Sequence, residues 1–368
     1  MFILTTLQKR AYNFNAGPSA LPLEVLETAQ KELVNYADTG MSLMEMSHRG
    51  PVFEGVHNEA IARLRKIYNI PENYEVLFVQ GGASLQFAQI PMNFLSQDET
   101  ASYVLTGSWS EKAIKEAKLF GNTNEAASTK ENKYKNIPAL EDIKWNETDK
   151  YVHITSNNTI YGTQWKQYPE TGNVPLIADM SSDILSKPVD VSKFGIIYAG
   201  AQKNLGPSGV TVVIIRKDLI EQANTNIPTM LKYSTHADNN SLYNTPPTFG
   251  IYMLGEVLKW VEAQGGLKKI AQNNEEKAAL IYDVIDGSNG FYTGHAEAGS
   301  RSLMNITFRV ADEELEKKFL AEAKAAGFVG LNGHRSVGGC RASTYNAVPR
   351  EACQALADFM VKFQKENA

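Results

Sequence analysis

The sequence predicts an α/β protein: a large domain on a mostly parallel sheet, followed by a smaller C-terminal α+β domain. Three observations carry this. From about residue 75, short β-prone runs alternate with helical patterns, the order that builds a parallel sheet covered on both faces. After Gly265-Gly266 that regular alternation stops. Residue types able to do chemistry recur just past the ends of the β-prone runs, where such sheets bind ligands.

The elements follow in order. Residues 75–79 form a strand, then come Gly81-Gly82 and a helical pattern; residues 102–105 form the next strand, then Gly107 and a helix over 110–119. Further strands are expected at 151–155, 175–178, 194–198 and 210–215. A helix over 250–263 stops at Gly265-Gly266. The second domain opens with a helix over 267–285 and a strand over 303–308, with Met304, Ile306 and Phe308 on one face. A helix over 313–326 ends at Gly327, and short strands follow at 328–331 and 340–345. The last helix opens with Pro349 and carries Ala352, Leu356, Phe359, Met360 and Phe363 as its apolar face. The expected domains are an N-terminal arm over 1–22 packing with the small domain, a large domain over 23–265, and the small domain over 266–368.

Bulk properties narrow the function. The chain has 368 residues, 43% apolar and 21% charged, ordinary for a soluble enzyme with room for two domains. No apolar stretch approaches the roughly 18 residues of a membrane span. The apolar start, residues 2–7, is too short for a signal core, and Lys9 and Arg10 follow it instead of preceding it. Cys340 and Cys353 have no metal-type or disulfide spacing. A cytoplasmic protein without a metal site is expected. A net charge of −5 supplies no global field for nucleic acid. An anionic substrate would therefore need a local cationic site, and His48-Arg49 and His334-Arg335 with Arg341 qualify.

The strand ends supply the chemistry. Gly81-Gly82-Ala83-Ser84 opens a helix, where backbone N–H groups and the dipole favour a phosphate; a plain glycine turn with Ser84 as N-cap fits the same residues. Neither a Walker loop nor a G-x-G-x-x-G fingerprint occurs. Trp109 follows the second strand and offers a stacking face, or simply fills core. The polar run 156–162 includes Thr159, placed to hydrogen-bond a ligand. Asp179 closes an apolar run, where a buried carboxylate wants a cationic partner or caps the next turn. Lys203 stands alone after the apolar run 196–201. Such a lysine is either a solvated turn residue or an amine that loses its proton easily and forms a Schiff base. In a parallel sheet these features converge into a phosphate cradle, an aromatic face, a carboxylate and an amine. Those are the parts pyridoxal phosphate requires.

On these segments, with Asn13 to Pro18, Ser47-His48-Arg49-Gly50, the run 243–248 and the run 334–343, the sequence resembles the phosphoserine aminotransferase family. That family belongs to the class V, fold-type I pyridoxal phosphate enzymes, and the resemblance runs nearly end to end. It implies that Lys203 and Asp179 are catalytic. Lys203 would carry the cofactor and shuttle the proton, and Asp179 would pair with the ring nitrogen. It implies that Trp109 stacks on the ring and that Ala83, Ser84, Thr159 and Gln202 hold the cofactor. Asn244 and Thr245 would reach the phosphate of the neighbouring subunit, making a homodimer with shared sites. His48, Arg49, His334, Arg335 and Arg341 would bind L-glutamate and 3-phosphohydroxypyruvate, with His334 and Arg335 crossing the dimer interface. The implied products are 2-oxoglutarate and O-phospho-L-serine; activity on the related phosphohydroxythreonine intermediate of pyridoxine biosynthesis stays open. Some relatives carry Arg-Gly where this chain has Ala83-Ser84. The alternatives are another class V enzyme, of the alanine–glyoxylate aminotransferase or cysteine desulfurase type, or a non-catalytic anion-binding protein.

Overall fold

The computed structural model describes residues 10–368. The leader read at residues 2–7 with Lys9, and the first part of the arm, lie outside the described residues. Seven strands form the central sheet, in the order Tyr74–Val79, Thr211–Arg216, Ile196–Gly200, Leu176–Asp179, Val152–Thr155, Thr100–Leu105 and Asn122–Ser128. Thr211–Arg216 is antiparallel to both neighbours, and the remaining pairs are parallel. The sheet is therefore mostly parallel, as the alternation of strands and helices requires. The one reversal has a local cause. Residues 201–210 alone link Ile196–Gly200 to Thr211–Arg216, fewer than the dozen or so that a parallel crossover takes.

Alternation along the strands sends side chains to two cores. On one face Val76, Phe78, Val152, Ile154, Ile197 and Val212 pack with Phe53 and Leu64 of helix Pro51–Tyr68 and Leu254 and Leu258 of helix Thr248–Ala263. On the other, Leu77, Tyr103, Leu105, Ile177, Ile196 and Tyr198 pack with Phe87 and Ile90 of helix Gly82–Phe94 and Ile114 of helix Ser108–Ala117. Burial on both faces is why the central strands are apolar nearly throughout.

Past Gly265 the chain forms helix Gly266–Asp286, an antiparallel sheet of Tyr292–Gly294, Asn305–Val310 and Cys340–Ser343, and helices Glu313–Ala325 and Arg350–Asn367. Ile306, Phe308, Phe319, Met360 and Phe363 share its core with Phe14. Tyr12–Asn13 pairs in parallel with Phe328–Val329.

Several elements differ from the sequence reading. Asn122–Ser128 is an unassigned edge strand, polar and only partly buried, and it pairs on one side only. Helices Leu23–Glu32 and Pro51–Tyr68 are also additional. Within the polar run after Val152–Thr155, Asn157–Asn158 pairs with Thr163–Gln164 as a small hairpin. Pro349 stands at the N-cap of the last helix and not inside it. Among the described residues, no helix is long and apolar enough to cross a membrane, and no group of His, Cys, Asp and Glu could hold a metal ion.

Candidate active site

Strand register sets the site. Thr155 lies opposite Asp179, and Asp179 opposite Tyr198, on three adjacent strands. The segments after these strands then carry Thr159 and Lys203 to the same end of the sheet. There a cavity of about 260 Å³ is lined by Gly82, Ala83, Ser84, Trp109, Thr155, Thr159, Asp179, Gln202, Lys203, His334 and Arg341, among others.

Lys203 is aimed by one hydrogen bond: its Nζ donates to Thr159 Oγ1 at 2.7 Å. Burial lowers its pKa from 10.5 to about 8; Asp179 opposes that shift and Arg341 adds to it. The amine also sits 5.8 Å from the ring centroid of Trp109. A surface turn lysine would have none of these neighbours.

Asp179 is 5% exposed. Its Oδ1 accepts the Ser181 N–H at 2.9 Å, and Ser181 Oγ in turn accepts the Gly200 N–H at 3.1 Å. One carboxylate oxygen thus stitches the turn, which is the capping role, while the residue still faces the cavity. Burial pushes its pKa up, and the Ser181 bonds and Lys203 pull it down.

The glycine turn is required by sterics. Gly81 has φ +90°, and a Cβ there would meet Leu85 at 2.5 Å. Gly81 itself is the N-cap of helix Gly82–Phe94 and supplies no side-chain cap, which corrects the reading of Ser84 as the cap. The first N–H groups of a helix have no intrahelical acceptor, so this uncapped end presents donors to the cavity.

The site also contains polar atoms that lack partners. Thr155 Oγ1 and Trp109 Nε1 are buried without hydrogen bonds, as is Arg341 Nε. An uncapped helix N-terminus, an aromatic plane, a buried carboxylate and a deprotonatable amine around one cavity fit pyridoxal phosphate.

The cationic residues divide into two groups. Arg341 lines the cavity, donates to the Thr159 carbonyl at 3.1 Å, and its burial lowers its pKa. His334 faces the same cavity within its own chain, although the resemblance implies that it crosses to a partner. Its pKa is lowered by partial burial, with Arg341, Arg335 and Lys112 adding to the effect. Arg335, the next residue, is exposed. His48, Arg49, Asn244 and Thr245 do not line this cavity. Arg49 Nη2 donates at 3.3 Å to the carbonyl of Tyr243, the residue just before Asn244, and His48 is buried with Nε2 unpartnered.

Sequence reasoning missed three residues here. Thr155 and Ser181 are small polar residues whose placement depends on cross-strand register. Lys112 places its Nζ 4.4 Å from the Trp109 ring; the i, i+3 spacing on a helix was the available signal.

The class-V aminotransferase family model matches residues 11–356. The phosphoserine aminotransferase of Lysinibacillus sphaericus (strain C3-41) is 77% identical over 361 residues, covering 98% of this chain and all of that one. The chain belongs to the phosphoserine aminotransferases of the class-V aminotransferase family. The solved structure of the phosphoserine aminotransferase from Bacillus circulans subsp. alkalophilus superposes on this class-V chain with a TM-score of 0.97, at 61% identity, over 98% of this chain and 100% of that one. A pyridoxal phosphate-bound phosphoserine aminotransferase from Trichomonas vaginalis gives 0.91 at 41% identity, over 96% and 100%.

Proposed function

We propose that this chain catalyses reversible amino transfer between L-glutamate and 3-phosphohydroxypyruvate, yielding 2-oxoglutarate and O-phospho-L-serine, with pyridoxal 5′-phosphate as cofactor. The observation that carries this is the buried Lys203 amine, held by Thr159 between Asp179 and Trp109, in a chain that shares 77% of its residues with a phosphoserine aminotransferase. When bound, the cofactor supplies an aldehyde that condenses with amines and a ring that accepts the electron pair released at Cα.

The chain's own residues do the rest. Lys203, with its pKa near 8, is neutral often enough to act as a nucleophile. In turnover its Nζ takes the Cα proton of glutamate and later returns one to the acceptor carbon. Asp179 offers a buried anion to the ring nitrogen. Trp109 offers a stacking face, and Ala83, Ser84, Thr159 and Gln202 hold the cofactor. Arg341 binds a substrate carboxylate through its planar fork, and His334 and Arg335 receive the phosphate of the phosphorylated keto acid. A desulfurase would need a mobile cysteine, whereas Cys340 and Cys353 are both fully buried, and burial raises both thiols.

The assembly we infer is a homodimer with shared sites, in which His48, Arg49, Asn244 and Thr245 serve the neighbouring subunit. Two observations support it. These four residues lie outside their own cavity. Exposed apolar side chains also stand close to them in sequence, among them Met41, Met44, Val52 and Tyr243. We further assign residues 10–22 and 266–368 to one unit and 23–265 to the other, and place the enzyme in the cytoplasm.

The test is a coupled assay with each keto acid. Visible absorbance of the cofactor-loaded enzyme is expected to fall with glutamate and return with 3-phosphohydroxypyruvate, and Lys203→Ala to abolish turnover. Preference for alanine and glyoxylate, or wild-type-like turnover in Lys203→Ala, would overturn the proposal.

A further inference from the structure

We propose that Arg309 and Glu316 form a clasp that positions the loop over residues 333–339 for the anionic substrate. The choice of substrate rests on the function proposed above; the clasp itself rests on geometry alone. The loop carries His334 to the cavity and Arg335 to its tip, then enters strand Cys340–Ser343, which bears Arg341.

The loop is closed by its own backbone. Gly333 N–H donates to the Gly339 carbonyl at 2.8 Å, and Val337 and Gly338 N–H both donate to the His334 carbonyl, at 2.9 and 2.8 Å. Gly338 and Gly339 hold φ of +71° and +74°, which L side chains rarely adopt.

Two side chains from outside the loop grip it. Arg309, on strand Asn305–Val310, donates from Nη2 to the Val337 carbonyl. Glu316, on helix Glu313–Ala325, accepts the Gly339 N–H on Oε1 at 3.1 Å, and the same oxygen accepts from Arg309 Nη1 at 3.3 Å. A Cβ on Gly338 would come within 3.2 Å of both terminal guanidinium nitrogens, so the guanidinium lies directly against the loop.

An ordinary surface ion pair would touch only its partner and count for little. Here each member also bonds the loop backbone, and Glu316 is buried enough, with 13% of its side chain exposed, to need its partners. The clasp therefore fixes where His334 and Arg335 stand relative to Arg341. Arg309 and Glu316 are positioning residues, since neither lines the cavity.

The experiment uses the full-length, cofactor-loaded enzyme with Arg309→Met, Glu316→Leu and Glu316→Gln. In Arg309→Met and Glu316→Leu, KM for 3-phosphohydroxypyruvate is expected to rise about tenfold, with kcat and the KM for glutamate within about twofold. Glu316→Gln keeps an oxygen for the Gly339 N–H and should stay within about threefold of wild type. A second readout needs no activity. Hydrogen exchange at the Val337, Gly338 and Gly339 amides should accelerate about tenfold in Glu316→Leu but not in Glu316→Gln. An unchanged KM with wild-type exchange at those amides in both Arg309→Met and Glu316→Leu overturns the clasp, and so does equal damage from Gln and Leu at position 316. If wild type turns over neither substrate, the proposed function fails while the exchange rates still decide the clasp.

Discussion

The Lys203 amine of the cofactor-free protein is expected to titrate near pH 8 instead of 10.5. At pH 7 roughly a tenth of it would then be neutral, against about 0.03% for an unperturbed lysine, a gain of about 300-fold in nucleophilic form. The structure also says which neighbours set this value. Burial lowers it most, Asp179 raises it, and Arg341 lowers it. Asp179→Asn should therefore move the midpoint down and Arg341→Gln should move it up. Competitive acetylation with acetic anhydride, read by mass spectrometry of the Lys203 peptide between about pH 6 and 11, measures the midpoint directly. The linkage has a definite sign. Between pH 8 and 10.5 the unfolded lysine binds a proton that the folded one has lost, so this group makes the protein more stable as pH rises through that window. The residue is only half-buried as a whole, so the full span is at most about 3 kcal/mol. Lys203→Met should remove that slope. A wild-type midpoint above pH 10, or shifts of the same direction in Asp179→Asn and Arg341→Gln, would refute the electrostatic account.

Two further outcomes follow from local geometry. Gly81→Ala places a Cβ 2.5 Å from Leu85 at φ +90°, and urea unfolding of the cofactor-free protein should show a loss of roughly 2 kcal/mol. Arg335→Ala should raise KM for the phosphorylated keto acid by about tenfold and leave that for glutamate nearly unchanged; an equal loss for both would remove this residue from the phosphate.

The sheet and the placement of Lys203 are legible in the sequence because both depend on local order. The central strands are largely apolar runs, and Asp179 and Lys203 stand at or just past the ends of two of them. Asp179 and Lys203 stand out because a charge at the end of such a run is costly unless used. What escapes the sequence is whatever depends on register or on distance along the chain. Thr155 meets Asp179 only because two strands align at that register. Asn122–Ser128 is a strand with the composition of a loop, since an edge position does not demand apolar residues. Arg49 contacts Tyr243 across 194 residues, and no periodicity announces that pairing. The Arg309–Glu316 contact with Val337 and Gly339 is hidden in the same way.

The polar balance of the cavity explains why these residues sit together. Asp179, Asp183, Lys203 and Arg341 are charged side chains gathered around one sheet end, and burial opposes the charged form of each. Asp183 meets that cost within the protein, through Ser156 Oγ and Gln164 Nε2. Arg341 does so only in part: it bonds the Thr159 carbonyl, yet its Nε has no acceptor. A guanidinium held half-satisfied beside a second cation is stabilised when a carboxylate arrives, because the anion supplies both the missing acceptor and the opposite charge. The same anion weakens the repulsion that Arg341 exerts on Lys203. Binding of an anionic substrate should therefore raise the proton affinity of Lys203 as that amine is called on to accept a proton from Cα, so recognition and base strength are coupled through one arginine.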